Sequence, residues 1–341
     1  FGPREVTGDG YPPLLFRWGF FYPPSHWNKI IPVNFYQTIN VVISKVLVLC
    51  LLSFCLLGLA PQNVSAGYQR IISTSPSITE ILFAIGAGNR VVGVTDFCSY
   101  PERACSLPSI GGPLNPSTEA WISLKPDLII HQTDSEIIHK NANNFGIPSL
   151  AVSVENIKSI LTTTQKIADS LNIPRQGQQL VQKLKTGIKH YQTQLNSQVP
   201  KQVLLLLGDT NDPARDLYAV GKGTFLDELL SIAGGENVLP NTMAKYPKLS
   251  KEFIISKSPE VIIEVGPMSN LTKIEIKKRK QDWSKFSTIR AIQTDNIHFI
   301  GADYILIPGP RLLNIIGKFS HTIHPSLFPD RYQSRQEKVS Q

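Results

Sequence analysis

The chain has 341 residues, of which 42% are hydrophobic and 18% charged. This length leaves room for about two domains, and the apolar content excludes a wholly disordered protein, because enough apolar surface is present to offset the entropy lost on ordering. Lys and Arg outnumber Asp and Glu by 34 to 26, and the net charge of +8 is compatible with a nucleic-acid or membrane partner.

The N-terminal region has the pattern of a segment outside the fold. Residues 1–40 are rich in Pro and aromatic residues without periodicity, which predicts an irregular extension. After Lys45, the apolar run Val46–Ala60 would span only about 22 Å as a helix, short of the roughly 30 Å hydrocarbon core of a bilayer. Together with the small side chains that follow, this run is typical of a secretory signal. We predict a signal peptide over residues 41–66, cleaved after Ala66.

Two other interpretations of this segment remain open. The apolar residues 41–43 extend the run, so it could also be a retained membrane anchor. A lipoprotein site at Cys55 is disfavoured, because the bulky Phe54 before it suits lipoprotein processing badly. Cleavage after residue 66 would remove four basic and two acidic residues and lower the net charge from +8 to +6.

Two cysteines, Cys98 and Cys105, remain in the mature chain. Export makes a disulfide chemically permissible, and the intervening Tyr100-Pro101 could turn the chain back on itself. We therefore predict a Cys98–Cys105 disulfide, with two free thiols as the alternative. A metal site is disfavoured, because neither a neighbouring His nor a second CxxC accompanies the pair.

From Gln69 onwards, short apolar strands alternate with helices. Pro76 begins the first helix, in which apolar residues recur at helical spacing. The alternation continues through this half of the chain, with strands predicted at 70–74, 91–94, 128–130 and 150–152 and later helices near 118–124 and 136–145. Such alternation predicts parallel sheets covered by helices on both faces.

A second set of the same kind follows Pro200, with strands at 203–207 and 261–263 and helices near 225–233 and 251–257. Each half contains the same local order of helix, Pro, acidic residue and strand, once around Pro126-Asp127 and once around Pro259-Glu260. We therefore predict two α/β lobes, residues 67–171 and 200–329, rather than one continuous sheet.

The segment between the lobes has the pattern of a long helix. Over residues 175–198, one apolar stripe is formed by Leu180, Leu184, Ile188, Tyr191 and Leu195. A helix of about 24 residues spans about 36 Å, so residues 172–199 are predicted to connect the lobes as a stiff strut. Beyond the second lobe, residues 330–341 are predicted to form a disordered tail.

The sequence lacks the common enzyme signatures GxGxxG after the first strand, GxxxxGKS/T, HExxH and GxSxG. His131, at the end of the third strand, could contact a ligand or metal, but a lone His there is more often a polar edge residue. Few aromatic residues lie near the basic run 277–280, which favours a solvated helix face over nucleic-acid binding. We therefore expect no catalytic residue, no metal ligand and no nucleic-acid partner.

Aromatic residues stand where a cleft between two lobes would lie. Phe97, Tyr218, Tyr246 and Tyr304 follow predicted strands or lie in turns beside Gly and Pro. Aromatic side chains at such positions can stack on a large planar ligand. The alternative is that each of them covers the core of its own lobe.

The mature sequence, from about Arg70 to Phe328, resembles the periplasmic substrate-binding proteins of ABC importers for cobalamin, haem or iron-siderophores. The stretches that carry the resemblance are RIISTSPSITE at 70–80, VGVTD at 92–96, LPSIGG at 107–112, LKPDLI at 124–129, AGGEN at 233–237 and PGPR at 308–311. They occur in this order across the whole mature length. The resemblance implies two Rossmann-like lobes joined by one rigid helix, with the ligand cleft between the lobes.

Within this family the chain looks most like the cobalamin binders. The resemblance implies ligand contacts by Phe97, Tyr218, Tyr246, Asp303 and Tyr304. The chain also departs from the family pattern, since two tryptophan positions hold Gly111 and Gln132 and an arginine position holds Ile307. We expect a corrinoid such as cobalamin as the transported ligand and no resident cofactor, with a ferric siderophore or haem as the alternative.

The family also has one surface glutamate per lobe that docks onto arginines of the membrane permease. Glu119 and Glu252 occupy the matching positions, and the alternative is that they are ordinary first-turn glutamates favoured by the helix dipole. The resemblance thus implies a monomeric periplasmic receptor that delivers its ligand to an ABC permease dimer. A secreted metal- or cofactor-handling enzyme is the alternative of a different class, for which His131 and Asp303 alone offer too little for a mechanism.

Overall fold

The computed structural model describes residues 42–46, 67–208, 217–241, 244–267 and 271–329. By its internal contacts the chain divides into two units, Phe1–Ser65 and Ala66–Gln341. In the first unit, residues 42–46 are helical. The predicted extension, most of the predicted signal peptide and the predicted tail lie outside the described residues and stay predictions. No helix in the described part of the chain is long and apolar enough to cross a membrane.

The first lobe alternates strands and helices as β1 (Ile71–Ser73), α1 (Pro76–Ala84), β2 (Val91–Gly93), α2 (Glu102–Cys105), α3 (Thr118–Leu124), β3 (Leu128–Gln132), α4 (Glu136–Asn144) and β4 (Ser149–Val152). The four strands form one parallel sheet in the order β2-β1-β3-β4. Ile71 pairs with Leu128, and Ile72 with Ile129. The two pairs pack in different apolar clusters, so both faces of the sheet are covered, as the apolar strands predict.

Local sequence signals fix the start of α1. The Ser75 side chain accepts a hydrogen bond from the backbone N–H of Ile78, and Pro76 occupies the first turn, where a missing N–H costs nothing. Starting the helix here places Glu80 on its buried side.

Two helices, α5 (Ile157–Ser170) and α6 (Pro174–Leu195), follow the first sheet. The 22 residues of α6 span about 33 Å. Leu184, Tyr191 and Leu195 are buried, and Leu180 and Ile188 pack against the same core with partial exposure. The apolar stripe read from the sequence is therefore the buried face of α6.

The second lobe contains β5 (Lys201–Leu207), β6 (Leu217–Tyr218), α7 (Phe225–Ile232), β7 (Gly235–Asn237), β8 (Lys248–Leu249), α8 (Lys251–Lys257), β9 (Val261–Gly266), α9 (Lys273–Trp283), α10 (Arg290–Gln293), β10 (Ile297–Gly301) and α11 (Leu312–Ile323). A second parallel sheet has the order β10-β9-β5-β7, and β6 pairs with β8 as a small antiparallel sheet. The class of fold is thus α/β with two Rossmann-like lobes, as predicted.

The repeated helix–Pro–acid–strand unit has the same geometry in both lobes. α3 and α8 each have seven residues and end on a non-glycine residue with positive φ, Lys125 at 45° and Ser258 at 40°. The Asp127 carboxylate then accepts hydrogen bonds at 2.7 and 2.9 Å from the two backbone N–H groups just before β1. The Glu260 carboxylate accepts one at 3.0 Å from the backbone N–H of Gln202 in β5. In each lobe the acidic residue therefore fixes the start of a central strand.

One apolar core extends through both lobes. The same cluster of buried side chains includes Ile71 and Ile78 of the first lobe, Leu184 of α6, and Leu205 and Ile316 of the second lobe. Each lobe adds a smaller cluster on the outer face of its own sheet. The lobes are therefore packed against one another through α6 rather than linked by a bare connection.

The predicted Cys98–Cys105 disulfide is wrong for this structure, in which both cysteines are free thiols. Cys98 is buried, and its Sγ lies 3.2 Å from Thr79 Oγ1 and 3.1 Å from Thr95 Oγ1. Cys105 ends the short helix α2 on the surface, where its Sγ donates to the backbone oxygen of Ser99. The two thiols differ in environment because α2 carries Cys105 out to the solvent while Cys98 turns inward.

Candidate ligand cleft and surface glutamates

The predicted ligand residues lie on segments beside the carboxyl ends of the strands. Phe97 follows β2, and Asp303 and Tyr304 follow β10. Tyr218 lies in β6. Tyr246 lies just before β8, which is the antiparallel partner of β6. Ligands of open α/β sheets bind outside the carboxyl ends of the strands, so both lobes present their candidate residues where such a fold binds.

In the first lobe, the Phe97 side chain is 63% exposed on the loop that follows β2. Asp96 accepts a hydrogen bond from the Ser109 hydroxyl, which ties this loop to the neighbouring one. A methyl group placed on Gly112 would lie 3.6 Å from Cε2 of Phe97, so the aromatic ring covers this glycine. Leu114, on the neighbouring loop, is 91% exposed and escaped the sequence reasoning, because a single Leu in a Gly- and Pro-rich loop carries no periodic signal.

In the second lobe, Tyr218 and Tyr246 are exposed on the small antiparallel sheet. Backbone hydrogen bonds from Ala219 to Pro247 (2.9 Å) and from Gly221 to Lys245 (2.8 Å) hold the two segments together. Burial of the Tyr246 hydroxyl raises its pKa, so the phenol is neutral. The two tyrosines are thus amphipathic side chains placed on neighbouring segments.

Asp303 and Tyr304 are organised around an arginine to which sequence reasoning gave no role. Arg311, the last residue of the PGPR motif, donates to the Asp303 carboxylate at 2.5 Å. Its guanidinium carbon lies 4.9 Å from the ring centroid of Tyr304 and 3.9 Å from that of Tyr100. Tyr304 is 9% exposed, so less of its ring is open to a ligand than in the other three aromatic residues.

Arg311 also joins the second lobe to the first. Its Nε donates to Glu80 on α1 at 2.9 Å and its Nη2 to the other oxygen of the same carboxylate, a bidentate pair. Burial raises the pKa of Glu80, and the hydrogen bond and charge of Arg311 oppose this effect. Burial lowers the pKa of Arg311, but the hydrogen bonds and charges of Glu80 and Asp303 outweigh it and hold that pKa above its usual value. A buried ionic link between the lobes therefore stands next to the candidate cleft.

A second ionic contact lies beside Tyr246. Lys245 Nζ is 3.0 Å from Oε2 of Glu155, in the segment between β4 and α5, and both side chains are more than half exposed. Exposed pairs of this kind contribute about 0–1 kcal/mol. Unlike the buried pair, this contact is weak and easily rearranged.

A cavity of about 610 Å³ lies between α1, α6 and the start of α11. Its lining includes Glu80 and Arg311 but none of the five predicted ligand residues. The cavity is therefore separate from the candidate cleft.

The two glutamates predicted to dock onto a permease occupy equivalent places. Glu119 in α3 and Glu252 in α8 are exposed at the second position of their helices. Each helix is capped by a serine, Ser117 or Ser250, whose hydroxyl accepts from the third backbone N–H of the helix. The structure thus presents one carboxylate in the same local setting on each lobe.

Other residues singled out from the sequence have structural roles. His131 is buried, its Nδ1 lies 2.8 Å from the Gln132 oxygen, and burial lowers its pKa, so it is neutral inside the first lobe. In the basic run, Arg279 is buried and bonded to Glu264, and Lys280 pairs with Asp295, which leaves residues 277 and 278 exposed. Among the described side chains, no three His, Cys, Asp or Glu residues are grouped to hold a metal ion.

Comparison with known proteins identifies related sequences and folds. The profile of the family described as "Periplasmic binding protein" matches residues 71–304. An uncharacterised ABC transporter substrate-binding lipoprotein, YvrC of Bacillus subtilis, is 26% identical over 77% of this chain and 82% of its own length. A vitamin B12-binding protein of Vibrio parahaemolyticus is 24% identical over 73% of this chain and 86% of its own.

Two solved structures show the same fold. The periplasmic vitamin B12-binding protein BtuF of Vibrio cholerae superimposes with a TM-score of 0.65, at 23% identity, over 76% of this chain and 98% of its own. A periplasmic haem-binding protein of Pseudomonas aeruginosa has the same TM-score, 0.65, at 21% identity, over 76% and 94%. Vitamin B12-binding and haem-binding proteins are equally similar to this chain in structure. These structures therefore establish the fold but do not distinguish between the two ligands.

Proposed function

Since the chain belongs to the periplasmic binding protein family, we propose that it is the extracytoplasmic receptor of an ABC importer and that its ligand is a corrinoid such as cobalamin. The observation that carries the ligand proposal is the exposure of three aromatic rings, those of Phe97, Tyr218 and Tyr246, on the strand-end segments of two lobes. Exposed aromatic rings suit a large, partly apolar macrocycle because they add contact area at little cost in side-chain entropy. The similarity to a vitamin B12-binding protein supports the same ligand class.

The charges beside these rings also favour a ligand without strong negative charge. Arg311 is bonded to Glu80 and Asp303, and Lys245 is paired with Glu155. An anionic ligand that recruited Arg311 would have to break a buried ion pair. The amide-rich periphery of a corrinoid needs only hydrogen bonds, which Asp303 and the tyrosine hydroxyls can supply.

Haem is the second candidate, because tyrosine is one of the side chains that bind haem iron. Tyr218 and Tyr246 are exposed on the second lobe, and a haem-binding protein shares the fold. Against haem, burial raises the pKa of Tyr246, so the phenolate that would bind ferric iron is harder to form. Haem is therefore the alternative ligand.

Calorimetry on the purified protein tests the ligand. We expect cyanocobalamin to bind with a micromolar or tighter Kd, and haemin and a ferric siderophore to bind more weakly. Phe97→Ala should weaken cyanocobalamin binding about tenfold, whereas Phe145→Ala, which removes an exposed ring at the end of α4, should not change it. If haemin gave heat of binding and cyanocobalamin gave none, the proposed ligand would be haem and not a corrinoid.

We propose that the protein contacts its importer through the two exposed glutamates. Glu119 and Glu252 stand in the same setting on the two lobes, which suits a partner made of two equal subunits with a cation on each. We place the permease contact on this pair.

A further inference from the structure

α3 and α8 each expose an isoleucine three residues after the glutamate. Ile122 follows Glu119 and is 56% exposed, and Ile255 follows Glu252 and is 41% exposed. Side chains three positions apart lie on the same face of a helix. Each lobe therefore presents an acidic and an apolar side chain together.

The residue before each isoleucine has the opposite environment. Trp121 and Ile254 are buried, Trp121 in the outer core of the first lobe and Ile254 in that of the second. Both helices begin at a serine cap and end at a residue with positive φ. With helix ends and buried faces fixed in the same way, the exposure of both isoleucines is set by the fold and not by a loose helix.

A single exposed apolar side chain means little, because such residues are normal on protein surfaces. Here the acidic–apolar pair occurs twice, at the same position of the repeated unit, so one chain carries two copies of one surface. A two-fold symmetric partner presents two equal surfaces in return. Apolar side chains beside a charge pair also exclude water from it, which strengthens the pair.

We propose that Ile122 and Ile255 are the apolar anchors of permease docking, one for each subunit of the permease dimer. This inference rests on the proposed function. Each permease subunit would then offer a cation for the glutamate and an apolar recess for the isoleucine beside it. The glutamates steer the approach and fix the register, while the isoleucines slow dissociation.

The test compares Ile122→Ser, Ile255→Ser and the double variant with the wild type and with Ile137→Ser. Ile137 is a matched control, 46% exposed on α4 of the first lobe but outside the repeated unit. Affinity is measured for the membrane dimer of the protein's own importer in nanodiscs, and cyanocobalamin binding is measured separately by calorimetry. We expect docking about tenfold weaker in each single variant and weaker still in the double, mainly through faster dissociation. Cyanocobalamin binding should be unchanged in all variants, and Ile137→Ser should dock as the wild type does.

The two measurements separate the possible failures. A double isoleucine variant that docks like the wild type, while Glu119→Ala with Glu252→Ala does not, would overturn the anchor proposal and leave the receptor function intact. Loss of cyanocobalamin binding in the isoleucine variants would also overturn it, because the residues would then act on the cleft or the fold. Wild-type protein that binds neither cyanocobalamin nor the importer would overturn the proposed function and the anchors with it.

Discussion

Arg311 contacts four side chains from two lobes. Glu80 and Asp303 accept its hydrogen bonds, and the rings of Tyr100 and Tyr304 lie within cation–π distance of its guanidinium group. Arginine suits this position because its planar guanidinium can stack and donate in two directions at once. Since Glu80 and Tyr100 belong to the first lobe and the other residues to the second, this one side chain sets how the lobes meet beside the cleft.

Removing the carboxylate of Glu80 should therefore be costly. We expect Glu80→Leu to lower the free energy of unfolding by about 3–5 kcal/mol, because it leaves Arg311 largely buried with one partner fewer. Urea denaturation followed by the fluorescence of the buried Trp121 and Trp283 measures the loss.

The exposed pair at the cleft provides the comparison. Glu155→Ala removes the partner of Lys245, and we expect it to cost less than about 1 kcal/mol because both side chains are solvated. Equal, small losses in the two variants would show that the buried pair does not brace the lobes.

Single residues were harder to predict than the segments that carry them. The PGPR motif is recognisable in the sequence, but the burial of Glu80, 231 positions away, is what gives Arg311 its role. The disulfide prediction fails for a similar reason. The spacing of seven residues between the cysteines is compatible with a bridge, but the chain turns the Cys98 thiol inward and the Cys105 thiol outward. Both outcomes depend on long-range packing, which local spacing does not encode.

At the scale of elements, the repeated unit is where the sequence is most informative. The proline and the acidic residue after each helix predict a stop and a turn, and these are local signals. The strand that each carboxylate holds is not local, because Asp127 binds the start of β1 and Glu260 binds β5, both far earlier in the chain. The same reasoning missed β7, which reads Gly-Glu-Asn and is a strand only because it pairs with β5. The sequence also did not predict how α9 packs on the sheet, because this helix is rich in Lys and has no apolar stripe. In the structure, Arg279 and Trp283 of α9 donate hydrogen bonds to the buried Glu264 of β9.

The carboxylate of the repeated unit can be tested directly. We expect Asp127→Ala to lower the free energy of unfolding by about 1–3 kcal/mol, because two backbone N–H groups at the start of β1 lose a charged acceptor. Hydrogen exchange at residues 69 and 70 should speed up more than exchange in β5 of the other lobe.

Asp134→Ala provides the control for this variant, since it removes an exposed carboxylate from the same lobe. A surface change of this kind should stay within about 0.5 kcal/mol of the wild type. If both variants unfold alike, the acidic residue of the unit is a surface residue and not a clamp.

At the scale of the whole molecule, we expect the protein to change shape little. The two lobes share one apolar core, α6 lies along that core, and the Glu80–Arg311 pair ties α1 to the start of α11. Opening the lobes by a large angle would expose part of this core and strip a buried arginine of its partner. Both changes cost free energy that ligand binding would have to offset.

Small-angle X-ray scattering of residues 67–341 tests this expectation. A folded chain of this length should have a radius of gyration of about 19 Å, and we expect the same value with and without saturating cyanocobalamin. The Glu80→Leu variant should show a larger radius without ligand and a decrease when ligand is added, because its lobes are held together less firmly. A clear decrease in the wild-type protein on ligand addition would mean that the lobes close around the ligand, and the shared core and the buried pair would then have to rearrange during each cycle of capture and release.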